Sequence, residues 1–139
     1  MKLIKLAALL AVAILAVSCA TRTVIIPEDL TPAELIQRGQ EASDRNNYPI
    51  SLQYYETLID RYPFDTDSVI AAEYEIAFIH YKQKKYDIAK AEFTDLLERY
   101  NSYDEELLPP QFKVLSLMIM ANITEKETSQ NAKQTRVNH

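Results

Sequence analysis

Chemistry in a protein starts from a small set of side chains, and this chain holds few of them. It has one cysteine, Cys19, two histidines, His80 and His139, and one glycine, Gly39. A nucleophile needs a base within hydrogen-bond reach, and a zinc-type site needs three or four soft ligands. His80, with only a terminal His139 for company, supplies neither. A phosphate loop of the glycine-rich kind cannot be built from one glycine. Carboxylates are plentiful, for instance Glu73 with Glu75 and the run Asp104-Glu105-Glu106. Hydrolysis by a carboxylate pair needs two of them across a cleft with one held protonated; in so acidic a chain these read instead as solvated helix surface. His80 falls at a packing position on an apolar helix and reads as a core or inter-helix histidine. The expectation is a protein without catalytic residues, metal or cofactor.

Cys19 stands in a different context. The chain opens MKLIKLAALLAVAILAVSCA, with Lys2 and Lys5 ahead of an unbroken apolar run from Leu6 to Val17. A membrane-spanning helix needs about 20 apolar residues, and this run is shorter. A basic start, a short apolar stretch and small residues after it describe a secretory leader, residues 1–18. Leu15-Ala16-Val17-Ser18-Cys19 resembles a bacterial lipobox, in which the cysteine is acylated and becomes the mature N-terminus. An unpaired thiol is a liability in an oxidising compartment, whereas an acylated one is an anchor. The resemblance implies a multiply acylated Cys19 holding the protein on a membrane, since one acyl chain alone binds marginally. Residues 19–31 would then be the acylated end and a tether.

The composition speaks for helices. One glycine, six prolines and no Asn-Gly or Asp-Gly pair leave little for tight hairpins. Thr31-Pro32-Ala33-Glu34 is a capping-box signature and starts a first helix, ending near Arg45 and the turn-tolerant Asn46-Asn47. Tyr48, Ser51, Tyr55, Leu58 and Tyr62 then recur at three- and four-residue steps, a single apolar stripe that Pro63 closes. A third helix is expected from about Asp67 to Gln83. The fourth repeats the stripe with Tyr86, Ala89, Phe93, Leu96 and Tyr100. A fifth begins near Pro109-Pro110 and is apolar through Ala121. From Glu125 to His139 the chain is polar, has no stripe and is expected to be disordered, so the folded domain spans 32–124. The predicted fold is all-α, an array of about five antiparallel helices.

Helix pairs recurring every 38 residues, from Tyr48 to Tyr86, mark a repeat array. Gly39, Tyr48, Ser51, Tyr55 and Pro63 in the first unit, and Ala77, Tyr86, Ala89 and Phe93 in the second, fall at the spacing of tetratricopeptide (TPR) repeats. Arg38 and His80 depart from that pattern, and Asn101 stands where proline is expected. The period exceeds the usual 34. With the phrases YYETLIDRYPFD and AEYEIAFIHYKQKKYDIAKAEFTDLLERY behind the lipobox, the chain is similar to BamD-type lipoproteins. These are TPR proteins of the bacterial outer membrane's β-barrel assembly machinery, usually with more repeats than the two and one helix here. The resemblance covers Ala33 to Asn101.

That resemblance implies a lipid-anchored protein of the periplasmic side of the outer membrane that binds protein or peptide partners, β-barrel assembly subunits among them. It also implies a concave groove, carried over by spacing to Ile36, Gln40 and Ser43 on the first helix and Tyr74, Phe78, Tyr81 and Lys82 on the third. The third helix is apolar on more than one side, as a sandwiched helix should be. Its tyrosine-rich stripe therefore has two readings, groove lining or packing against the fifth helix. The fifth reads as the first helix of a third unit with no second helix, and Ser116 fits the small close-packing role. Its Met118 and Met120 are adaptable contact residues, so this end is either a cap or a surface for a partner or a second copy. The excess of acidic over basic side chains argues against nucleic acid. The rival readings are a lipoprotein scaffold in envelope organisation or transport, and a small-ligand accessory protein using Tyr74, Tyr81 and His80.

Overall fold

A computed structural model describes residues 23–101 and 107–137, with side chains through residue 135. Residues 1–22, 102–106 and 138–139 lie outside the described residues, and with them the expected leader and the expected acylation site at Cys19. Five helices run in order among the described residues: α1 Pro32–Asp44, α2 Tyr48–Arg61, α3 Thr66–Lys82, α4 Tyr86–Arg99 and α5 Pro110–Val137. Among the described residues there is no strand, so the fold is all-α. Neighbours in sequence pack as neighbours in space, α1 on α2, α2 on α3, α3 on α4 and α4 on α5, while α3 also touches α1 and α5.

Local chemistry explains the helix ends. At α1 the capping box forms in full: Thr31 Oγ1 accepts from the Glu34 backbone N–H, and Glu34 accepts from the Thr31 N–H at 2.9 Å. Those hydrogen bonds from Thr31, backbone first, hold the Glu34 carboxyl below the usual carboxylate range. Asp65 caps α3 through Ser68. The two hairpin turns are built alike. Asn46 and Lys84 both take left-handed backbone, at φ 57° and 61°. In each turn the next N–H reaches back five residues, Asn47 to the Ala42 carbonyl and Lys85 to that of His80. Asparagine tolerates this geometry; lysine does so at a cost.

The interior is two clusters that share α3. Leu35 of α1 and Tyr55 and Leu58 of α2 meet Val69, Ala72 and Ile79 in one. Ile70, Tyr74 and Ala77 meet Ala89, Phe93 and Leu96 of α4, and Ile123 of α5, in the other. The two apolar sides read on the third helix thus face different neighbours. At the α1–α2 crossing, Ser51 Oγ donates to the Gly39 carbonyl at 2.7 Å. A Cβ on Gly39 would lie 2.7 Å from the Tyr55 ring, so only glycine lets the backbones come this close.

Two expectations need correction. The stretch expected to be a tether outside the folded domain packs on the body from residue 24 onward. The Val24 N–H donates to Gln53, Arg61 donates to the Ile26 and Pro27 carbonyls, and Tyr62 donates to the Leu30 carbonyl. Leu30 is buried and Val24 and Ile26 lie on the α1–α2 cluster. The C-terminal stretch, expected to be disordered from Glu125, continues α5 to Val137. It lacks an apolar stripe, but Glu, Lys, Gln and Ala are good helix formers. Lys90 holds Glu127 to α4 at 2.9 Å, and Thr124 and Thr128 bond back to carbonyls one turn earlier.

Candidate partner-binding site

The side chains expected to line a groove divide into three settings. Ile36 and Gln40 of α1 line a cleft of about 400 Å3 together with Ala71 and Glu75 of α3 and Phe112 of α5. Gln40 Nε2 donates to Glu75 Oε1 across the cleft at 3.4 Å. Burial is the main reason the Glu75 carboxyl sits above its ordinary range, with Gln40 and then Lys82 opposing and Asp44 reinforcing. This cleft draws side chains from three helices, and Glu75 and Phe112 belong to it although the sequence spacing did not single them out.

Deeper in, Lys82 Nζ donates to Ser43 Oγ and stands over the rings of Tyr48 and Phe78, 5.3 and 5.1 Å from their centroids. Ser43 is buried, so its hydroxyl serves Lys82 and presents nothing to solvent. Tyr74 is also buried: its ring lies among Phe78, Phe93 and Phe112, at centroid distances of 5.8, 5.7 and 5.3 Å. For Ser43 and Tyr74 the groove reading gives way to packing. Tyr81 continues the aromatic row through Phe78 and Tyr86. It borders a wider cleft of about 810 Å3 between the α3–α4 turn and α5, with Lys84, Asn122 and Lys126.

His80 faces the other way. A 2.7 Å hydrogen bond joins its Nδ1 to Glu92 Oε2 on α4, so it is an inter-helix histidine with a polar partner rather than an apolar one. Beside it Glu73 pairs with Arg99 across the same helices, leaving Glu73 Oε2 buried without a partner. Burial, with Arg99 opposing, raises the Glu73 carboxyl. Tyr74 and Tyr81 both stack on Phe78, whereas His80 turns to Glu92 on α4, so the histidine does not join the two tyrosines around one pocket.

On α5 the two methionines separate, because residues two apart point to nearly opposite sides of a helix. Met120 is half-buried against the α3–α4 cluster, whereas Met118 is 57% exposed. Ser116 is buried toward the body of the protein, so it does not mark the outer face. Val114 and Leu117 flank Met118, both more than half exposed. No helix among the described residues is long and apolar enough to cross a membrane.

Fold and faces together define an all-α chain of packed helical hairpins with repeat-like packing and a bare face on its last helix. Among curated proteins it is similar to an uncharacterised protein of Treponema pallidum (strain Nichols), 36% identical over 98 residues. That match covers 70% of this chain but spans only 39% of the relative's length. No family model matches the chain, and no solved structure does.

Proposed function

We propose that this protein is a non-catalytic adaptor, anchored by acylated Cys19 to the bacterial envelope on its periplasmic side. It binds a protein or peptide segment through its helical array. The observation that carries the reading is the cleft shared by α1, α3 and α5, where Ile36 and Phe112 offer apolar contact and Gln40 and Glu75 offer hydrogen-bonding groups. A cleft that sets apolar side chains among polar ones, Asp67, Ser68 and Gln111 included, suits peptide recognition. TPR-type architecture and a place in outer-membrane β-barrel assembly are what the resemblance adds to the reading.

Purification of the untagged complex from native membranes, with its subunits identified by mass spectrometry, tests the reading. Recovery with β-barrel assembly subunits supports the specific setting. Recovery with wall-synthesis or transport proteins moves the adaptor to another envelope task, and recovery alone overturns it. The anchor has its own test: palmitate labelling present in the wild type and lost in Cys19→Ser.

A further inference from the structure

Each of the first two helix pairs covers one face of its first helix in the same way. Gly39 on α1 is met by Ser51 and Tyr55 of α2. Ala77 on α3 shares a core cluster with Ala89 and Phe93 of α4. Three and seven positions before Ala77 stand Tyr74 and Ile70, both buried in that cluster. On α5 the same steps back from Ala121 meet Met118 and Val114, which share one face of the helix. There Ala121 is exposed, and Val114, Leu117 and Met118 are 58%, 52% and 57% exposed. The opposite face is fully used, with Ser116 and Ile123 buried and Phe112 and Met120 on the core. The bare face thus continues the α1–α2 and α3–α4 interfaces, with nothing from the described residues upon it.

We propose that this face docks an amphipathic helix from another protein, seated as α2 and α4 are seated on α1 and α3. The inference rests on the adaptor reading and gives it a partner of defined chemistry. The fold writes the pattern of that helix twice: a small residue, an aromatic four positions later and further apolar residues at three- and four-residue steps, as in Ser51–Tyr55 and Ala89–Phe93. The aromatic sits on Ala121, and the flanking apolar residues on Val114 and Met118. A second copy of this chain fits less well, because its own bare stripe has no aromatic to place on Ala121.

The test uses the full chain and a fluorescent peptide of the α4 sequence, YDIAKAEFTDLLER, as probe. Saturable binding is expected, at least tenfold tighter than for the same peptide with its phenylalanine changed to alanine. Met118→Glu and Ala121→Trp should each abolish it with circular dichroism unchanged, while Lys133→Ala, on the polar end of α5, should leave it intact. Binding no better than that of a scrambled peptide, or binding retained by Met118→Glu, overturns the proposal. So does a concentration-dependent dimer in sedimentation that Met118→Glu dissolves, which would make the occupant a second copy. In native membranes, partners that co-purify equally with wild type and Met118→Glu would sink this inference while leaving the adaptor standing. A wild-type chain with no partner at all would bring down both.

Discussion

At the scale of single residues, Gly39 and Lys84 make opposite demands on their backbones. Gly39 in mid-helix costs about 1 kcal/mol of helix propensity relative to alanine, yet an added Cβ would press on the buried Tyr55 ring. Overpacking of this kind costs about 1–3 kcal/mol, so Gly39→Ala should be neutral to destabilising by up to about 2 kcal/mol in urea unfolding. A clear gain would mean that Tyr55 yields easily. Lys84 carries left-handed backbone that glycine adopts freely, and Lys84→Gly should raise stability by about 1 kcal/mol. The buried carboxylates set a pH dependence. Glu73 and Glu75 are both raised by burial in the folded state. The folded protein therefore binds more protons than the unfolded chain above the ordinary carboxylate value of 4.5, and stability falls as pH rises through the raised values. Melting temperature should drop on that ascent, and Glu75→Gln should flatten the curve. An unchanged curve would show that Glu75 is well solvated. The small–aromatic spacing around Gly39 was legible because sterics leave one solution there. The groups around Glu75 were not, because they come from three helices and no local pattern links them.

The elements show where sequence periodicity reads well and where it stops. The capping box at Thr31, the Pro63 stop and the stripes of α2 and α4 follow from local rules, and the first four helices begin and end within a few residues of where those rules place them. The docked segment 24–30 escaped that reading because its hold is non-local, through carbonyls accepting from Arg61 and Tyr62. Such a segment carries no periodicity of its own. The polar half of α5 escaped because composition reports the absence of a core-facing stripe, not the absence of helix. Beyond Glu127 that half has no tie to the body among the described hydrogen bonds and ion pairs, so hydrogen exchange should find protection falling away after this residue. Lys90→Ala, which removes the Glu127 partner, should move the fall toward Ile123. Equal protection from Phe112 to Val137 would contradict the picture.

For the whole molecule, the decisive arrangement is that α3 serves both clusters from two of its sides. Val69, Ala72 and Ile79 close the cluster with α1 and α2, and Ile70, Tyr74 and Ala77 close the one with α4 and α5. Repeat arrays can lose one unit before another when contacts run only between neighbours. Here the helix at the centre cannot leave one cluster without opening the other, which favours a single unfolding transition. Ile79→Ala and Ile70→Ala remove fully buried side chains from different clusters and should each cost about 2–5 kcal/mol. Each variant should unfold in one transition, with protection lost together in α1–α2 and in α4. If Ile79→Ala instead melted α1 and α2 early and left α4 and α5 protected, the two hairpins would be separate folding units. The bare face of α5 would then belong to a unit able to move independently of the Ile36–Gln40 side. The coupling matters to the adaptor, because α3 and α5 carry the cleft and the docking face together. A partner helix seated on Val114 and Met118 would therefore stabilise the whole array, and its binding should raise the melting temperature of α1–α2 as well as of α4–α5.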